Sequence, residues 1–149
     1  MAQAERRATT VWTGDLMSGN GRLTLASSGV LTDTPVTWAS RTEQPDGRTS
    51  PEELLAAAHA SCFSMALSAG LARGRTPPER LEVSAVCSLD RKPEGGFKVT
   101  AMALTVRGRV PGLDQAGFEQ AAQAAKEGCP ISGALAGNVD ITLSATLES

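Results

Sequence analysis

The run Thr49-Ser50-Pro51-Glu52-Glu53-Leu54-Leu55-Ala56-Ala57-Ala58-His59-Ala60-Ser61-Cys62-Phe63-Ser64-Met65-Ala66-Leu67 sets one cysteine inside an uncharged helical stretch, while a second waits in Gly128-Cys129-Pro130. Two thiols in such settings point to redox chemistry. Ser50 is a good N-cap, Pro51 fits the first helical position, and Glu53 stands where the acidic partner of a capping box belongs, so a helix is expected from about residue 51. No residue from Leu54 to Ala72 is charged, which is long enough to raise a membrane span. The run is mostly Ala, Ser and Gly, however, and contains His59. Small residues let another backbone approach closely, so the stretch reads as a buried core helix.

At 149 residues the chain fits a single domain, 1–149, with a workable core. A net charge of -2 with scattered arginines leaves no electrostatic footprint for nucleic acid. Met1-Ala2-Gln3-Ala4-Glu5-Arg6-Arg7 has a basic pair with no apolar stretch behind it, so no secretory signal is read and a cytoplasmic location is expected. An odd count of three cysteines argues against a secreted disulfide framework. It suits a reducing compartment in which any bridge is transient and catalytic. The thiol left over is Cys87, which shares one face of a strand with Val83, Ala85 and Leu89 and reads as a small buried hydrophobe.

Around the central helix the pattern is strands, helix, hairpin, helix, strand. Thr9 to Thr13, Gly21 to Ala26 and Val36 to Ser40 are expected as an antiparallel meander. Strands near 80–90 and 97–110 flank the turn Pro93-Glu94-Gly95-Gly96. A helix follows from the cap Asp114 to Gly128, a short one from Pro130 to about Ala136, and a half-buried strand carries Val139, Ile141, Leu143, Ala145 and Leu147. This order gives an α+β domain rather than an alternating parallel sheet. With two Trp, three Phe and no Tyr in the chain, the long helix is hard to cover on all sides within one small domain, so a symmetric dimer is expected.

Cys62 has no basic neighbour in sequence, so burial would raise its pKa and leave it inert unless a cation arrives from elsewhere in the fold. Cys129 stands just before a helix whose unpaired N–H groups favour a thiolate. A metal site on Cys62, Cys129 and His59 lacks any knuckle spacing, and a cysteine hydrolase would have to take its base from the single histidine, His59, on the same helix.

The run from Thr49 to Ser68, the stretch Val83-Ser84-Ala85-Val86-Cys87-Ser88-Leu89-Asp90, and Ala125-Lys126-Glu127-Gly128-Cys129-Pro130-Ile131-Ser132 resemble the OsmC/Ohr family of bacterial hydroperoxide reductases. Ala58-His59-Ala60 before the first cysteine resembles the OsmC branch. The resemblance implies an intertwined α+β homodimer with antiparallel sheets around long central helices, and active sites at the subunit interface. It also implies the roles: Cys62 as the peroxidatic cysteine, Cys129 as the resolving cysteine, Arg41 as the arginine that activates the thiolate, and Glu52 as the carboxylate that holds that arginine. The segment from Arg41 to Arg48 is one residue longer than the family pattern, and Arg48 offers a second guanidinium. The implied activity is reduction of organic or lipid hydroperoxides in stress defence, with no metal or organic cofactor and a dithiol reductant such as a lipoyl protein. A noncatalytic stress or ligand-binding protein with the same fold is the alternative. Glu52 and Cys62 are ten residues apart, about 15 Å along one helix axis, so an antiparallel pair of these helices would bring Glu52 of one chain beside Cys62 of the other.

Overall fold

The computed structural model describes residues 1–149, which form two units, Met1–Leu54 and Leu55–Ser149. In the first, strands β1 (Thr9–Thr13), β2 (Asn20–Thr24) and β3 (Thr34–Val36) make an antiparallel sheet in that order. Trp12 pairs with Gly21, and Gly21 with Val36. A Cβ at position 21 would come within 2.7 Å of a Val36 methyl and 3.0 Å of the Trp12 ring. Only glycine lets both large neighbours close over that site.

The third strand is not the expected Val36 to Ser40: it lies earlier, at Thr34–Val36, and shares only Val36 with that expectation, because a helix takes the residues that follow. Thr37 is extended and accepts from the Ser40 N–H, while Ser40 accepts from the Thr37 N–H. This reciprocal cap ends β3 at Val36 and starts α1 (Trp38–Thr42). Helix α2 (Pro51–Arg73) begins where the sequence places it. Ser50 accepts from the Glu53 N–H at 3.1 Å, but the Glu53 carboxylate accepts from the Thr49 hydroxyl at 2.6 Å instead of returning to the cap.

In the second unit, β4 (Arg80–Arg91) and β5 (Phe97–Arg109) form the expected hairpin. Its turn is closed by the Lys92 N–H donating to the Gly96 carbonyl, with Gly95 and Gly96 at φ of 101° and 82° that favour glycine. Helix α3 (Gln115–Gly128) is capped by Asp114, whose side chain accepts from the Gly117 N–H. After it come α4 (Pro130–Leu135) and β6 (Asp140–Leu147). Strand β6 pairs with β5 in parallel, so this sheet is mixed rather than antiparallel throughout. The physical reason is the connection: a chain that leaves β5, runs through two helices and returns to the same edge can re-enter in the same direction, as a tight hairpin cannot.

The core of this unit comes from periodicity. His59, Phe63, Leu67 and Leu71 are buried at four-residue spacing on α2 and so share one helix face. The three apolar members pack with Leu104, Val106, Phe118 and Ala122, each large side chain contributing roughly 1.5–3 kcal/mol. By length and composition alone α2 could cross a membrane, and 22% of its most apolar window is buried in the single chain. Its buried face nevertheless belongs to a packed protein core. Cys87 is half-buried on β4, on the inward alternation with Val83 and Ala85.

Candidate active site

Cys62 directly precedes Phe63 on α2, at the flank of the buried stripe, and packs half-buried against the core. Cys129 is 1% exposed at the break between two helices, closing α3 and opening α4 with an extended backbone at φ -72°, ψ 123°. Proline at the first position of α4 needs no N–H partner, so the chain turns there without an orphan donor. The fold thereby sets two sulfurs that are 67 positions apart in sequence 2.9 Å from each other.

Their surroundings pull them in opposite directions. Burial pushes the Cys62 thiol up, and its hydrogen bond with Cys129 pushes it further; the Ile131 N–H counteracts this in part. Burial also acts upward on Cys129, yet it is outweighed by hydrogen bonds from Cys62, from the Ser132 N–H and hydroxyl, and from the Ile131 N–H, which hold Cys129 below the usual thiol range. Contact geometry alone has Cys129 donating to Cys62, whereas these surroundings make Cys62 the donor. The second assignment is the physical one, because the first-turn N–H groups of α4 converge on Cys129 and stabilise charge there. None of the groups acting on Cys62 is a cation, so activation of Cys62 requires a charge delivered to it, as its sequence context demands.

A second pair sits in the first unit. Arg41, in the last turn of α1, donates from Nε to Glu52 Oε1 and Oε2 at 3.0 and 3.2 Å and from Nη2 to Oε1 at 2.8 Å. Glu52 is 8% exposed. Its carboxylate, in the first turn of α2, fixes the plane of the guanidinium, which also stands 5.7 Å from the centre of the Trp38 ring. Arg48 instead pairs with Asp46 in its own turn, at 3.2 Å. Arg41 lines a cleft of about 580 Å³ whose other walls include Trp12, Leu23, Val36, Trp38 and Leu54. In the second unit a groove of about 680 Å³ runs past Cys62, walled by Met65, Ala66, Ala69, Ala121 and Ala125.

Sequence reasoning passed over Ser132. It is buried, its hydroxyl lies 2.7 Å from His59 Nε2, and the same hydroxyl is among the groups that hold Cys129 below the usual thiol range. The available signal was a small polar residue three positions after the helix-opening Cys129, where a cap and its partner usually meet. His59 therefore meets a hydroxyl through Nε2, and no group of three His, Cys, Asp or Glu side chains stands close enough to hold a metal ion.

The family model described as OsmC-like protein matches residues 44–144. Peroxiredoxin OsmC of Escherichia coli (strain K12) is 43% identical over 138 residues, covering 93% of this chain and 93% of its own. An organic hydroperoxide resistance protein of Xanthomonas axonopodis pv. citri is 34% identical over 96 residues, 64% of this chain and 65% of its own. Among solved structures, an organic hydroperoxide resistance protein OsmC from Legionella pneumophila superposes with a TM-score of 0.72 at 30% identity, covering 98% of this chain and 99% of that one. A matched model over more than half of the chain and a relative this similar over nearly all of both lengths settle the family: the chain belongs to the OsmC family.

Proposed function

We propose that this chain is a thiol-based peroxidase that reduces organic hydroperoxides in stress defence, with Cys62 as the attacking thiol and Cys129 as the resolving one. The observation that carries this reading is the 2.9 Å contact between the two sulfurs, in a chain whose relatives bear the names peroxiredoxin OsmC and organic hydroperoxide resistance protein. The Cys62 thiolate attacks the O–O bond of the hydroperoxide; one oxygen stays on sulfur as a sulfenic acid and the other leaves as the alcohol once protonated. The Cys129 thiolate then displaces hydroxide from that sulfur and the disulfide forms. A dithiol restores both thiols by exchange, and a lipoyl protein supplies it. No cofactor takes part.

Arg41 is the activating cation. Its guanidinium hydrogen-bonds peroxide oxygens and favours the thiolate, and Glu52 holds its fork. The bidentate Arg41–Glu52 pair supports this choice over Arg48. The apolar walls beside Arg41 and beside Cys62 favour alkyl or lipid hydroperoxides over hydrogen peroxide.

The working unit is a homodimer in the cytoplasm, in which Arg41 and Glu52 of one chain serve Cys62 of the other. Supporting it are the uncovered side of α2 and the exposed Trp12, Met17, Met65 and Val86, which a single chain leaves in water. Both units act as one OsmC-like domain, since the family match runs across the boundary between them. Changing Cys62 to Ser tests the reading. Peroxide consumption is lost while the fold stays intact; a folded Cys62→Ser protein that still consumes organic hydroperoxide with a dithiol donor would sink it and favour a noncatalytic role for the thiols.

A further inference from the structure

We infer that His59 and Ser132 form a positioning relay for Cys129, in which His59 fixes the Ser132 hydroxyl and that hydroxyl aims its proton at the resolving sulfur. The inference rests on the peroxidase reading above for its purpose, but its geometry stands by itself. His59 is fully buried, Ser132 is 4% exposed, and Nε2 lies 2.7 Å from Oγ. His59 Nδ1 is buried with no partner.

That orphan nitrogen selects the tautomer. A buried N–H without an acceptor is rarer than a lone pair without a donor, so the proton sits on Nε2 and Nδ1 keeps its lone pair. Nε2–H then donates to Ser132 Oγ, and the Ser132 O–H is left to donate to Cys129 Sγ. Burial holds His59 below the usual histidine range, which keeps it neutral. It therefore works as a fixed donor, not as a cation or a base. The groups facing Cys129 are Cys62, the Ser132 hydroxyl and N–H, and the Ile131 N–H; no charged side chain is among them. With so few donors, one hydroxyl held in a single rotamer matters.

The step it serves balances without a further reagent. Cys129 sulfur attacks the Cys62 sulfenic sulfur, the S–S bond forms, the S–O bond breaks, and the leaving hydroxide takes up the proton that Cys129 gave up on ionising, as water. The relay lowers the cost of that ionisation and points the sulfur lone pair at its target.

The test uses the full-length protein and two readouts. In a Cys62→Ser, Cys87→Ser background, thiolate absorbance against pH titrates Cys129, the one thiol left. With both cysteines present, trapping of the sulfenic acid and loss of the second thiol separate Cys62 oxidation by cumene hydroperoxide from bridge formation. Ser132→Ala raises the Cys129 pKa, slows bridge formation about tenfold, the weight of one charge-assisted hydrogen bond, and leaves Cys62 oxidation within about twofold. His59→Leu reproduces this with Ser132 in place, while His59→Gln, which keeps an N–H near Nε2, restores most of the rate. An unchanged Cys129 titration in both folded Ser132→Ala and His59→Leu proteins overturns the relay, as does an equal slowing of Cys62 oxidation. The titration needs no peroxide, so it judges the relay even where failure of Cys62 to oxidise has overturned the peroxidase reading.

Discussion

Treating the reduced protein with one equivalent of an organic hydroperoxide closes a Cys62–Cys129 bridge within each chain and raises its thermal stability. The cysteines are 67 positions apart in sequence; a loop of that length confines the unfolded chain by about 4.4 kcal/mol at 25 °C in the chain-entropy treatment. This is a ceiling. The sulfurs stand 2.9 Å apart and a disulfide needs 2.03–2.05 Å, so closure asks for a movement of about 0.9 Å in a tightly packed junction, which offsets part of the gain. A net 2–4 kcal/mol is expected, as for other bridges of this kind. With an unfolding entropy of about 2.1 cal/mol/K per residue, that raises the Tm of a 149-residue chain by about 6 to 13 °C. Peptide mass mapping without reduction locates the bridge, and calorimetry of reduced and oxidised samples measures the shift. A Cys129→Ser protein serves as the control that oxidises without shifting upward. A bridge containing Cys87, or one joining two chains, refutes the assignment; the expected bridge without any rise in Tm refutes the loop-closure reasoning.

Other outcomes follow from the same geometry. Arg41→Met raises the Cys62 pKa and slows peroxide reduction, whereas Arg48→Met does little; pH-dependent alkylation of Cys62 decides, and a shift in the Arg48 variant moves the activating role there. Mixing a Cys62→Ser chain with a Glu52→Ala chain restores about one assembled site per heterodimer if Glu52 serves the partner's thiol, and no gain over Glu52→Ala alone places the site within one chain. Because burial holds the folded pKa of His59 below the ordinary 6.5, the unfolded chain binds a proton below pH 6.5 that the folded chain refuses. Stability therefore falls as pH drops through that window, by at most about 1.4 kcal/mol per pH unit. Urea unfolding between pH 5 and 7.5 should show this component in the native protein and not in His59→Gln.

Local chemistry made much of this protein legible from its residues alone. Ser50-Pro51 marks the start of α2, Asp114 caps α3, and Pro93-Glu94-Gly95-Gly96 turns the hairpin, because caps and turns are set by a few neighbouring atoms. Cys62, Cys129 and Glu52 stood out because they lie in motifs that resemble a known family; Arg41 was singled out by the same resemblance although its segment runs one residue longer than the family pattern. Where the reading failed, two local preferences competed: Val36, Thr37 and Trp38 suit a strand by type, but Thr37 and Ser40 form a reciprocal helix cap, so the strand ends at Val36 and Trp38–Thr42 are helical. Register and direction lay out of reach as well. The alternation along β6 identifies its buried face, yet the same alternation serves a parallel or an antiparallel neighbour. Sequence alone singled out the side chains to which the proposed chemistry is assigned. Only tertiary structure decided that Cys129 sits under the first-turn N–H groups of α4, that it touches Cys62 across 67 positions, and that His59 reaches it through Ser132, since contacts between distant segments arise from packing and leave no trace in the spacing of residues along the chain.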